Sequence, residues 1–357
     1  MIAGYHRHTV SPRFRTGEPR LVDVAKAAGV SVSSASLALS GKGRISDEVR
    51  ARIVEAAENL GYRPATKNRQ KDGVIAVLAL MDRSWAYALG MNQLILDSLS
   101  RSLVSTGREI CIVPVFEDDP ADRIWKRVLA LGVDSVFSIH YGNADLFSRF
   151  EKHGLPVVVI MNNNFQTDFN SVCVDDYQGA YEAGSILIAS GHQRLAYVSM
   201  DLPYLTAVRR DRFIGFRKAI EEHHIQFDDR LQRMCSVHGS EDVDRAIEEL
   251  FAAHEPTALF AMDDYLGVRI YLACKRRGLR IPEDVSIICA GDVLDYTEEY
   301  VPNMSTMSIP FGSMGRVAAE LMESTLSNGH TATQHDVVKV KQHYVDRGTV
   351  SHIQRSS

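Results

Sequence analysis

The chain is short of cysteine and of long apolar runs. Its five cysteines (Cys111, Cys173, Cys235, Cys274 and Cys289) are scattered over 357 residues with no paired spacing. An odd, scattered set excludes a disulfide framework and a clustered zinc site. It fits a reducing compartment, so a cytoplasmic protein is expected. No stretch approaches about 18 consecutive apolar residues, which excludes an ordinary membrane-spanning helix. The first residues lack the apolar core of a secretory leader, so none is expected. Signatures of catalysis are missing as well. There is no G-x-S-x-G, no P-loop and no H-E-x-x-H, and no G-x-G-x-x-G follows an apolar strand pattern. Tyr271 and Lys275 spell Y-x-x-x-K, but inside an ordinary amphipathic helical pattern. Asp263 and Asp264 are adjacent, and neighbours at a strand end point to opposite sides, which argues against a shared-proton dyad. His223, His224 and His238 lack metal-ligand spacing. The expectation is a protein without catalytic residues, metal or cofactor.

What is present is a charge asymmetry hidden by a net charge of −5. Residues 1–73 hold 13 Lys and Arg against 7 Asp and Glu, whereas the remainder holds 27 against 38. A small basic head on a large acidic body points to a nucleic-acid-binding module attached to something else.

Residues 1–19 show no periodicity and read as a disordered, weakly basic arm. Residues 20–66 read as a headpiece of three short helices. Val22, Val24, Ala25 and Ala28 give the first an apolar side, and Gly29 breaks it. Ser31 can cap a second helix with Ala35, Ala38 and Leu39 inward. Ser46 can cap a third, with Asp47 and Glu48 in its first turn and Val49, Ile53, Ala56 and Leu60 as its stripe. Small alanines let two helices cross closely, and Ser31, Ser33, Ser34 and Ser36 line the start of the second. Short hydroxyls beside helix N-terminal amides suit phosphate and base-edge contacts, so a DNA-reading helix-turn-helix is expected over a plain three-helix bundle. Residues 67–73 form a short basic linker.

From Val74 to about residue 350 the pattern alternates. Strand-length apolar runs occur at Val74–Leu80, Ile110–Val115, Ser135–Ile139, Val157–Ile160, Ala196–Val198, Ala258–Ala261 and Val285–Cys289. Helical patterns lie between them, near 92–105, 121–131, 178–189, 209–222, 242–253, 265–277 and 313–326. This predicts an α/β body with parallel sheets, too long for one open sheet and therefore two-lobed, with a ligand between the lobes. Residues 351–357 read as a tail.

The run LVDVAKAAGVSVSSASLALSGKGRIS resembles the headpiece of the lactose/galactose repressor (LacI/GalR) family, D-V-A-x-x-A-G-V-S-x-x-T-V-S-x-x-L-N. The likeness continues through Gly61-Tyr62-Arg63-Pro64, Val172 to Gly179, Gly191 to Val198, Arg212 to Phe216, Asp263-Asp264, Gly278 to Ser286 and Asp346 to Thr349. It covers roughly residues 20–349. The resemblance implies a homodimeric transcriptional regulator, most often a repressor. A helix-turn-helix headpiece would read a pseudo-palindromic operator in double-stranded DNA. A periplasmic-binding-protein-like body would bind a small effector, carbohydrate by class. Val32 and Ser33 then face base edges, and Ser31, Ser34 and Ser36 lie at the phosphates. Leu37 stands where the family often has arginine, so a bidentate guanine reader is missing there. The linker departs from the family too. Lys71 occupies the position of a leucine that wedges the minor groove, and Lys67, Arg69 and Lys71 are expected to contact phosphates instead.

In the body, Arg212 offers a forked donor and Asp264 an acceptor for adjacent hydroxyls, and both match family positions. Asp292, Asn162, Trp85 and Tyr87 are further candidates, the last two for stacking on a sugar ring. The competing expectation is a sugar-binding or sugar-processing protein without DNA affinity.

Overall fold

The computed structural model describes residues 20–39, 45–60, 62, 73–81, 86–104, 106–201, 205–236, 240–327 and 335–353. The chain divides into two compact units, Met1–Arg69 and Gln70–Ser357.

The first unit contains α1 (Leu21–Ala27), α2 (Val32–Leu39) and α3 (Asp47–Leu60). Gly29 takes a φ of 66°, which a side chain disfavours, and turns the chain so that α1 and α2 diverge by 102°. Ser31 Oγ accepts from the Ser34 amide at 3.0 Å and caps α2. Val24, Ala25, Ala28, Ala35, Ala38, Ile53 and Ala57 form the core. Arg50 clamps α3 to α2 by donating to the Ala38 carbonyl at 2.9 Å. Two expected core positions lie outside it. Val22 is 45% exposed, and Leu60 is 39% exposed while Ala57 is buried in its place. Leu60 comes three residues after Ala57, about 60° short of a full turn, and so falls off the inward face.

The second unit has two lobes. The first lobe is a parallel sheet of β1 (Val74–Leu80), β2 (Glu109–Val115), β3 (Ser135–Ile139), β4 (Val157–Ile160), β5 (Asn170–Val174) and β11 (Val337–Val340), in the order β11-β5-β4-β3-β1-β2. α4 (Ala86–Val104), α5 (Ala121–Ala130), α6 (Ala144–Lys152) and α11 (Phe311–Ser327) belong to it. The second lobe pairs β6 (Leu195–Met200), β7 (Gln232–Cys235), β8 (Ala258–Ala261), β9 (Ser286–Ala290), β10 (Ser305–Ser308) and β12 (His343–Val345), in the order β12-β10-β9-β8-β6-β7. Only its edge strand β12 runs antiparallel. α7 (Asp176–Ala189), α8 (Thr206–Glu222), α9 (Ser240–Ala253) and α10 (Asp264–Arg276) belong to it. Central strands are apolar and almost wholly buried, as sheets covered on both faces require.

The chain passes between the lobes at β5–α7, at β10–α11 and at β11–β12. The first and third are tied together: the Asp175 amide donates to the Val340 carbonyl at 2.9 Å, and Gln342 Nε2 donates to the Asp175 carbonyl at 3.3 Å. Lobe angle is therefore set by a short, cross-linked bundle of backbone.

Five strands (β5, β7, β10, β11, β12) and α6 were not among the expected elements. β10 shows why. Its sequence, Ser305-Thr306-Met307-Ser308, reads as a loop, yet it is buried. Its polar atoms are taken up locally: the Ser305 amide donates to Thr349 Oγ1 at 2.8 Å, Ser305 Oγ to Asp346 at 3.0 Å, and Arg347 to Thr306 Oγ1 at 2.9 Å. The expected tail is also partly anchored, since the Ile353 amide donates to the Ser190 carbonyl at 2.8 Å.

Candidate functional sites

In the first unit the alanines of α2 face inward, which turns positions 32, 33, 36 and 37 outward. Val32 is 44% exposed and Leu37 43%, with Ser33 and Ser36 exposed beside them. An apolar valine left in water at a helix start does nothing for the core. Ser31 is exposed and Ser34 half-buried, and their hydroxyls lie 2.8 Å apart. Lys67, Arg69 and Lys71 lie outside the described residues.

In the second unit a partly open cleft lies between the lobes. The first lobe contributes Met91, His140, Met161 and Asn163, the second Leu205, Val208, Arg212, Met262 and Asp263, and the crossings Val174, Asp176 and Ile309. His140 and Met161 end β3 and β4 with φ of 60° and 61°, a left-handed backbone that non-glycine residues adopt only under constraint. His140 Nδ1 lies 3.2 Å from the Met161 carbonyl, and burial pushes its pKa down to about 4, so the ring is neutral.

The polar centre is an ion pair. Arg212 Nε donates to Asp176 Oδ1 at 2.7 Å, and a second Arg212 nitrogen donates to the Met262 carbonyl. Asn163 Nδ2, from the opposite lobe, donates to Asp176 Oδ2 at 2.8 Å. Burial raises the Asp176 pKa above the ordinary carboxylate range although Arg212 and Asn163 oppose it.

Of the six expected effector contacts, Arg212 lines this cleft. Asp264 is turned away from it. The side chain is fully buried, and its Oδ2 accepts from the Val293 and Leu294 amides at 2.8 and 3.1 Å. The adjacent Asp263 takes the cleft position. Asn162 is likewise one residue off. It donates to the His140 carbonyl at 2.7 Å and accepts from the Asn164 amide, while Asn163 faces the cleft. Asp292 pairs with Arg347 at 2.9 Å and accepts from Thr306, away from the lining. Trp85 lies outside the described residues. Tyr87 falls in α4, within a stretch whose side chains are not described.

Comparison with known proteins matches residues 20–65 to bacterial regulatory proteins of the lacI family and residues 185–350 to the periplasmic binding protein-like domain. The HTH-type transcriptional regulator DegA of Bacillus subtilis (strain 168) is 27% identical over 307 residues, 83% of this chain and 88% of that protein. The chain thus carries a lacI-family domain at residues 20–65 and a periplasmic binding protein-like domain at residues 185–350. Its fold is shared with the cellobiose complex of the transcriptional regulator CelR, at a TM-score of 0.67 and 22% identity over 93% of this chain and 99% of that one. It is also shared with the lac repressor dimer bound to operator and the anti-inducer ONPF, at a TM-score of 0.64 and 21% identity over 94% of this chain and 100% of that one.

Asp263, Asn163, Asp176 and His140 line the cleft but were not among the expected contacts. Each lies just past a strand end, in a turn or at a helix start, where the strand period of two no longer applies. The left-handed turns at His140 and Met161 leave no mark in residue type.

Proposed function

We propose that this chain is a lacI-family regulator, a cytoplasmic, homodimeric repressor whose operator affinity is set by a small molecule, a sugar or sugar derivative, in the cleft between its lobes. On this reading Val32, Ser33 and Leu37 meet base edges in the major groove. Ser31, Ser34 and Ser36 meet phosphates, joined by Lys67, Arg69 and Lys71 of the linker. The observation that carries it is the outward display of Val32, Ser33, Ser36 and Leu37 opposite a buried alanine seam. That arrangement wastes apolar surface unless a partner covers it.

The cleft supports the regulatory half. Val174, Asp176 and Ile309 lie in two of the three crossings and also line the cleft. A ligand touching them has different contacts at different lobe angles, which is what a shift of equilibrium requires. Effector and operator then change each other's affinity by the same factor. A carbohydrate accords with the cellobiose held by one protein of the same fold.

Electrophoretic mobility shift on the DNA upstream of the gene tests the reading. Binding is expected to fall steeply with salt, about tenfold or more per few-fold rise, because the basic head displaces counterions. Removing residues 1–66 abolishes it. Binding that survives this deletion, or turnover of sugars in place of DNA binding, overturns the proposal.

A further inference from the structure

Asp263 brings a second carboxylate into the cleft, with one oxygen left without a hydrogen bond. It ends the loop after β8 and its side chain is 2% exposed. Oδ1 accepts from the Leu266 amide at 2.7 Å and caps α10, but Oδ2 is buried and accepts no hydrogen bond. The cation that lines the cleft, Arg212, is directed to Asp176 and to the Met262 carbonyl. Asp176 in turn is closed off by Asn163. The ion pair is thus complete in itself and neutral. His140 adds no charge, since burial keeps its ring unprotonated. Among the described residues the charged lining is two carboxylates and one guanidinium, an excess of one negative charge. Met91, Met161, Met262 and Ile309 form much of the remaining wall and offer no side-chain donor. Burial pushes the Asp263 pKa up to about 6, outweighing the Leu266 amide and the more distant charges of Arg212 and Arg269, which pull it down.

We propose that the effector carries a protonated amine, seated on Asp263 Oδ2, with the amino sugars as its carbohydrate form. A hydroxyl could satisfy the same oxygen with one hydrogen bond, but it leaves the excess charge buried. An ammonium supplies the hydrogen bond and cancels the charge together. Acidic ligands are disfavoured by the same accounting, because Arg212 is already paired. This inference rests on the cleft being the effector site.

Matched pairs differing only in amine against hydroxyl test it: D-glucosamine and D-glucose, D-galactosamine and D-galactose, putrescine and butane-1,4-diol. Calorimetric titration and thermal shift are run on the full-length chain near pH ~7, below the roughly 7.5–8 at which a sugar amine loses its proton and above the value of about 6 for Asp263. The amine of at least one pair is expected to bind about tenfold or more tightly than its hydroxyl partner. Asp263→Asn, which keeps the helix cap, is expected to erase that preference without lowering the melting temperature of the free protein. A response confined to the sugar pairs identifies an amino sugar, and one confined to putrescine a plain aliphatic amine. Equal binding within every pair, preference for the neutral members, no binding by any amine, or an unchanged preference in Asp263→Asn overturns the proposal. Mobility shifts run alongside separate the two readings. Operator binding without any amine response removes this one alone, and amine binding without operator affinity removes the regulator reading alone.

Discussion

Arg212 holds Asp176 at 2.7 Å, the two side chains being 6% and 2% exposed, and Asn163 from the other lobe completes the carboxylate. The pair is both a cleft wall and a tie between lobes. Removing one partner leaves a buried charge, so Arg212→Ala is expected to cost about 3–5 kcal/mol, on the order of 10 °C in melting temperature for a body of this size. The double replacement Arg212→Met with Asp176→Leu should recover most of that loss. Burial already raises the Asp176 pKa, so in Arg212→Ala the carboxyl can escape its penalty by taking a proton. The deficit of Arg212→Ala should therefore shrink as pH falls toward 5, a trend that calorimetric scans across pH would reveal. A constant deficit would show that the pair contributes packing alone.

Asp264 gives the protein a pH dependence of unusual sign. Burial pushes its pKa up to about 7, against an ordinary value near 3.8 in the unfolded chain. Between those values the folded state binds more protons than the unfolded state. The contribution is fully present below pH ~4 and is lost as pH rises through about 7, amounting to a few kcal/mol. Asp263, pushed up to about 6, acts in the same direction. Urea midpoints measured from pH 5 to 8 should fall more for the native chain than for Asp264→Asn, whose amide still accepts from Val293 and Leu294. Parallel curves for the two proteins would contradict the shift.

The architecture was readable from residue type because its central strands are unbroken apolar runs such as Val74–Leu80 and its helices carry regular stripes. The cleft was readable only to within one residue. Asn162 and Asp264 were expected to meet the effector, yet Asn163 and Asp263 line the cleft. Each pair lies past the end of a strand, where the chain turns into a 3-10 turn or into α10, and neither strand alternation nor hydropathy says which polar neighbour faces inward. Polar β10 was invisible for a different reason. Its stability depends on Thr349, Asp346 and Arg347, more than 40 residues away in the chain.

α11 returns to the first lobe after a crossing and packs against α4 with the backbones in contact. A Cβ on Gly315 would meet the Ile95 carbonyl oxygen and the Leu99 nitrogen. Backbone cannot yield as a flexible side chain does. Gly315→Ala is accordingly expected to destabilise the body by about 1–3 kcal/mol through overpacking, against the usual gain of alanine over glycine in a helix. Gly312, also on α11, has open space at its Cβ position. Gly312→Ala should be neutral or stabilising. Chemical denaturation of the two variants side by side checks the contrast, and equal midpoints would mean that α4 and α11 can separate.

The outward face of α2 separates fold from reading. Ala35 is fully buried at the crossing of the short helices, so Ala35→Leu should overpack the head at a cost of about 1–3 kcal/mol and remove DNA binding altogether. Ser33→Ala and Val32→Ala alter exposed side chains and should leave the helical circular dichroism unchanged. If these two positions meet base edges, each should lower operator affinity by about 1–3 kcal/mol while nonspecific affinity holds, narrowing the specificity ratio. Ser36→Ala, at a phosphate, should weaken operator and random DNA alike. Competition titrations against random-sequence duplex at fixed salt distinguish the outcomes. A uniform loss for Ser33→Ala would move that residue from the bases to the backbone, and no loss for any of the three would take α2 out of the groove.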